Sequence, residues 1–243
     1  MNSCISVFKR EIKGYFSTPI AYVFLVIFLF FSGFLAFKNG FFASRQASLR
    51  IFFDSMPLLF IFLVPAIAMR LWAEERKSNS IEFLFTLPIQ TSQAVIGKFF
   101  AAWTVIALGL LLTFPMVITV YYLGNPDSGM IISGYVSSLL LAGSYLAIGS
   151  FFSALTRSQV IAFVLAVVAC GVCLFSSSPN IMAYLSNFFP KPIVSIIESM
   201  SFMSRYESIQ RGVLEFSDMA FFILLIVGWI WANIIVLEER KAA

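Results

Sequence analysis

Cys170-Gly171-Val172-Cys173 is the first place in this chain where spacing suggests chemistry, because thiols two residues apart serve redox exchange or metal binding. Both uses need a thiolate, and a thiolate needs a basic neighbour or a helix N-terminus. The pair instead lies inside the apolar run Val160–Phe175, without Lys, Arg or further ligands. Together with Ala162 and Ala166 it reads as a small-residue face for close helix packing. With Cys4 as the only other cysteine, no disulfide framework exists. The chain has no histidine, which excludes His-based triads, imidazole metal sites and imidazole pH switches. No Ser, Asp or Glu has the partners of a nucleophile or an acid–base pair, so the expectation is no catalytic residue and no metal. A phosphate loop is missing too. The only Gly-Lys pair is Gly97-Lys98, and five positions earlier stands Ser92 where that motif needs glycine.

The elements that hold these residues belong to a membrane. Of 243 residues, 60% are apolar and 12% charged, with 29 phenylalanines and a mean hydropathy of +0.94. An ordinary soluble domain is roughly 45–50% apolar and about 25% charged. Disordered, collagen-like and disulfide-stapled classes fall away on the same arithmetic. A net charge of +4 in such a chain reports topology before nucleic acid, and no nucleic-acid partner is expected. Six stretches have the length and composition of spans: Ile20–Phe37, Phe52–Ala73, Phe99–Leu123, Met130–Leu155, Val160–Phe175 and Met219–Leu237. Their centres carry no Asp, Glu, Lys or Arg, unlike the relays of ion-coupled transporters, so energy for active transport must enter from another subunit. Ten Lys and Arg fall on one side and six on the other, which predicts both termini inside.

The N-terminus carries Lys9, Arg10 and Lys13 but no small-residue cleavage site after the first apolar run, so an uncleaved span is expected rather than a secretory signal. Before it, Ile5, Phe8, Ile12, Tyr15 and Phe16 share a helical face. They predict an amphipathic surface helix over residues 1–19, ended by Pro19. Phe24, Phe28 and Phe31 recur on one face of the first span. They either line a path for a lipid-like or aromatic substrate or form a packing or lipid-facing stripe. The outer segment 176–218 holds Ile193, Ile196, Ile197 and Met200 at helical spacing between prolines. It predicts short amphipathic or re-entrant helices before the sixth span.

The inner loop 74–98 is the sharpest feature. Glu74-Glu75-Arg76-Lys77 precedes Asn79 and Glu82, spaced as in a capping box. Ile81, Leu84 and Phe85 then form an apolar stripe that Pro88 ends. A short capped helix with such a stripe can dock into a groove on a soluble partner, or it is a solvated linker.

The run Glu74–Pro88, followed by Gly97-Lys98, resembles the loop between the second and third spans of type-2 ABC (ABC-2) exporter permeases, with Asn79-Ser80 where that family has Gly-Thr. Ser17-Thr18-Pro19-Ile20-Ala21-Tyr22 and Ser208–Asp218 are similar to the gliding-motility and nitrous-oxide-reductase-maturation branch. The resemblance implies one ABC-2 transmembrane domain over residues 1–243: an all-α integral membrane protein with six transmembrane helices in a bacterial inner membrane. It implies a permease working with a second copy or a sister permease and with cytoplasmic ABC ATPases that carry the ATP and Mg. This chain would bind no cofactor itself. Ser80–Leu87 would be the coupling helix, with Glu74, Glu75, Arg76, Asn79, Ser80, Ile81, Glu82, Leu84, Phe85 and Pro88 as its contacts. Phe24, Phe28 and Phe31, with Ala162 and Ala166 of the fifth span, would lie on the path. Membrane lipids and a periplasmic accessory protein complete the expected partners. The competing reading is an ATP-independent channel-like facilitator or a scaffold of an envelope complex.

Overall fold

The computed structural model describes residues 2–42, 46–78, 90–176, 178, 201–210, 212 and 215–242, and every described element is helical. The chain enters through α1 (Asn2–Ser17), turns at Pro19 and descends in α2 (Ile20–Lys38). Three pieces follow, α3 (Arg50–Asp54), α4 (Met56–Ala68) and α5 (Arg70–Lys77). A third crossing is built from α6 (Thr91–Leu112) and α7 (Phe114–Leu123), a fourth from α8 (Ser128–Leu155). The remaining elements are α9 (Gln159–Phe175), the short α10 (Phe202–Gln210) and α11 (Phe216–Ala242).

Five of these segments are long and apolar enough to cross a membrane: 20–38, 56–77, 91–123, 128–155 and 216–239. The sixth candidate, α9, has 17 residues, about 25 Å at 1.5 Å per residue, against a hydrocarbon core of about 30 Å.

The second and third crossings differ from expectation. Phe52 and Phe53 belong to a separate helix, α3, and are buried there. The second crossing runs on to Lys77, so Glu74–Lys77 is its last turn and not the start of a loop. At the third crossing the helix begins at Thr91, which places Gly97 and Lys98 two turns inside it. An apolar-run criterion stops at such charges, of which Lys98 is buried among neighbouring helices while Glu74 and Lys77 stay exposed.

The fourth crossing is the hub. It packs against α3, α4, α5, α6, α9, α10 and α11, and small residues let them approach. A Cβ on Gly134 would lie 2.4 Å from the Phe53 ring, and one on Gly149 would lie 2.5 Å from Ala68 Cβ. Ser137, Ser144 and Ser150 return their hydroxyls to carbonyls of this helix, so their polarity is hidden at no packing cost. Asn233 of α11 crosses to it and donates to Ser150 Oγ at 3.1 Å.

At the end of the bundle opposite α1, α10 is anchored rather than laid on the surface. Its wholly buried Tyr206 donates to the Phe53 carbonyl at 2.9 Å and lies 3.0 Å from Ser138 Oγ. Arg205 pairs with the buried Asp218 at 2.6 Å, tying α10 to the first turn of α11. The expected stripe of Ile193, Ile196, Ile197 and Met200 lies outside the described residues.

Candidate functional site

Arg10, Glu11, Glu75 and Lys98 converge where α1, α5 and α6 meet. Along α1, Cys4 and Val7 form the first rungs of a stripe that packs on α6. Gly97 is the reason they fit: a Cβ there would stand 2.9 Å from Val7 Cγ1 and 3.0 Å from the Cys4 carbonyl. This rotates α1 from its expected register. Val7, not Ile5, is the buried rung, and Ile5 stays 46% exposed. One turn further along the same stripe comes Glu11.

Lys98, the next residue, points about a quarter-turn round the helix and is also buried, 3% exposed. Its ammonium donates to Glu75 Oε1 at 2.7 Å and to the Leu71 carbonyl at 3.1 Å, and Glu11 Oε1 lies 3.5 Å away. The Trp72 ring sits 5.0 Å from Nζ. One buried cation thus joins three helices, which is how a lysine can be buried at all. Arg10 reaches Glu11 at 2.8 Å and Glu75 at 3.9 Å from the solvent side.

The other charges of the Glu74–Lys77 cluster face different neighbours. Glu74 takes a two-pronged bond from Arg70, at 2.8 and 3.0 Å. Arg76 donates to the Ala154 carbonyl at the C-terminal end of α8, where orphan carbonyls favour a cation. Tyr15 is partly buried beside this cluster. Burial first, and then the Glu11 carboxylate, push its phenol above the ordinary range, while Arg70 opposes them weakly. Its hydroxyl therefore remains protonated, and a donor, at neutral pH.

The α4–α5 junction is held by one residue with no motif of its own. The Trp72 and Ala73 amides, among the orphan donors of the new helix start, donate to Ser153 Oγ at 3.1 and 3.0 Å. Ser153 in turn donates to the Met69 carbonyl at 2.8 Å. Trp72, Ala73 and Ser153 are all buried. Ser153→Ala is expected to lower stability by about 1–3 kcal/mol, the cost of stranding buried amides. Chemical unfolding of the chain in detergent measures it, and an unchanged midpoint would mean the amides find other acceptors.

Of the residues singled out beforehand, Glu74, Glu75 and Arg76 come together at this end of the bundle. Asn79, Ser80, Ile81, Glu82, Leu84, Phe85 and Pro88 lie outside the described residues. The first-span phenylalanines divide. Phe24 and Phe28 are buried, their rings stacked at 6.0 Å, with Phe28 stacked on Phe60 at 5.8 Å. Phe31 is 45% exposed and turns away. Ala162, Ala166 and Cys170 are fully buried on the inner face of α9, packed against neighbouring helices. Among the described residues no group of three or more Cys, Asp and Glu could hold a metal ion. Glu11, Trp72 and Ser153 were missed beforehand. For Glu11 a signal existed, since it follows Cys4 and Val7 at helical spacing, whereas Ser153 is one of several serines on its helix and nothing in the sequence distinguishes it.

These features define a class: a polytopic helical membrane protein in which a cluster of ion pairs joins the N-terminal helix to the ends of two crossings. A family model of ABC-2 family transporter proteins matches residues 7–237, and the chain belongs to that family. It is a multi-pass membrane protein and the permease component of an ABC transporter, a kind of subunit that generally lacks an ATPase site of its own. Membership implies cytoplasmic ABC ATPase partners and a dimeric assembly. No curated protein matches the chain.

Proposed function

We propose that this chain is the permease subunit of an ATP-driven exporter in a bacterial inner membrane, with six spans and both termini in the cytoplasm. The observation that carries the reading is the family match over residues 7–237, joined to the clamp that grips both sides of segment 79–89. That segment leaves α5 at Lys77 and returns at α6, the two helices that Lys98 ties to each other and to α1. A push on Ser80–Leu87 by a nucleotide-bound ATPase would enter both helices together. Arg76 and Ser153 would pass it to α8, the hub of the bundle. The α4–α5 junction at Met69 is the natural hinge, because its amides are held by a side chain rather than by a continuous backbone ladder.

The permease would work as a pair, with itself or a sister chain, around a path between the two copies. Of Phe24, Phe28 and Phe31, Phe31 alone faces outward, since Phe24 and Phe28 are closed within the single chain. Within the family, the stretches Ser17–Tyr22 and Ser208–Asp218 support the gliding-motility and nitrous-oxide-reductase-maturation branch. The outer segment 176–218 would cap the mouth of the path and meet a periplasmic accessory protein.

The purified chain is expected to bind no ATP alone, with ATPase activity appearing only after a phosphate-loop subunit encoded beside it is added. Equilibrium binding of labelled ATP in detergent measures this. Saturable binding by the chain alone would overturn the permease assignment. Solute movement in liposomes without any ATPase would favour the facilitator instead.

A further inference from the structure

Beside the clamp a cleft of about 180 Å³ opens where Pro19 turns the surface helix into the first crossing. Its polar walls are Glu11, Tyr15, Thr18, Arg70, Glu74 and Lys98. Two carboxylates face two cations, so the lining has both signs and no net charge. A fixed dipolar lining of this kind suits a zwitterion, and it repays neither a net anion nor a net cation for losing its water. The Tyr15 hydroxyl has no hydrogen-bond partner among the described residues, and it is a donor at neutral pH.

A second, apolar cavity lies on the same side of α2. Ile20 lines the cleft, and Ile20, Ile27 and Phe31 share one face of α2 at spacings of seven and four. Ile27 and Phe31 then line an apolar groove of about 340 Å³ between α2 and α4, closed on the far side by Leu58 and Phe62. A small two-signed cleft and, about two helical turns further along the same face of α2, an apolar groove together match the anatomy of one phospholipid.

We propose that this cleft and groove bind a phospholipid with a primary-amine zwitterionic headgroup, of the phosphatidylethanolamine class. The ammonium would be held by Glu11 and Glu74, the phosphate by Arg70 and the Tyr15 hydroxyl, and one acyl chain by the groove. The primary amine is favoured over a quaternary one for a chemical reason. Carboxylates reward N–H donors, whereas a trimethylammonium group has none and is recognised by aromatic cages, and here Tyr15 is the only ring in the lining. The same headgroup chemistry exists in soluble form as glycerophosphoethanolamine, and the groove argues for the lipid.

The test places the full-length chain in nanodiscs containing phosphatidylethanolamine, its N-methyl and N,N-dimethyl derivatives or phosphatidylcholine, all with the same acyl chains. Native mass spectrometry reads the retained lipid. Retention is expected to fall stepwise with methylation, by about tenfold from first to last, the value of one charge-assisted hydrogen bond. Glu11→Gln with Glu74→Gln should flatten the series, and Leu58→Trp, which fills the groove, should lower retention of every member. Equal retention across the series on the wild-type chain would overturn the proposal whether or not the variants fold. Preferred retention of phosphatidylglycerol would also overturn it. Competition by glycerophosphoethanolamine as effective as by the whole lipid would overturn the assignment to a lipid.

Discussion

Removing the Glu11 and Glu75 carboxylates together is expected to destabilise the chain by about 3–5 kcal/mol, more than removing Lys98 itself. The asymmetry follows from burial. Lys98 is 3% exposed, while the Glu11 and Glu75 side chains keep 20% and 21% of their surface in contact with solvent. Taking away both carboxylates strands a buried ammonium with one carbonyl and one aromatic ring. Lys98→Met leaves partly exposed carboxylates with Arg10 still in ion-pair reach, and about 1–2 kcal/mol is expected there. Chemical unfolding in detergent of wild type, Glu11→Ala/Glu75→Ala and Lys98→Met measures the order. A double variant no less stable than Lys98→Met would show that the carboxylates do not hold the cation. Lys98→Met is also the informative variant for coupling. It should still copurify with an ATPase yet lose most transport-linked ATP hydrolysis, because the three helices are no longer joined.

Placing a carboxylate on the apolar stripe of the inner loop should act on association instead. Leu84→Asp or Phe85→Asp is expected to cut ATPase copurification by at least about tenfold while leaving the membrane bundle folded. Burying an unpaired carboxylate in a docking groove costs several kcal/mol, and each 1.4 kcal/mol is about a factor of ten. Glu82→Ala should be milder, about 1 kcal/mol, the cost of a lost capping partner. The amount of ATPase recovered with each tagged variant, at matched permease yield, reads the effect. Wild-type recovery with both Asp variants would remove this stripe as the docking surface and leave the Glu74–Lys77 end of α5 as the contact.

Much of the architecture was legible because membrane crossings announce themselves by length. The first crossing begins at Ile20 as expected, the third ends at Leu123, and the helix expected as a fifth span ends at Phe175 but is too short to count among the five. The breaks inside crossings were not legible. Met69 and Thr113 interrupt helices whose apolar runs continue through them, and the groups that accommodate the breaks are distant in sequence. Ser153 serves the first, and Tyr135, 2.8 Å from Thr113 Oγ1, serves the second. A hydrophobic run records the solvent and not the hydrogen-bond partner that lets a helix bend.

From its sequence alone this protein is a membrane chain of apolar helices, without histidine, without a phosphate loop, and with no charge in the middle of a span. Those properties follow from composition and from the cost of charge in hydrocarbon, which one chain position can report without knowing its neighbours. Tertiary structure decided which face of each helix is core and which meets lipid. Phe28 and Phe31 are the same residue type three positions apart, yet one is sealed against Phe60 and the other lines an open groove. In water the polar face would have told them apart. In a bilayer both faces are apolar, so only the packing of one helix on another distinguishes them. The same holds for Lys98. Its charge is evident in the sequence, but its burial depends on Glu11 and Glu75, 87 and 23 residues away, being folded to within hydrogen-bonding or ion-pair reach of it.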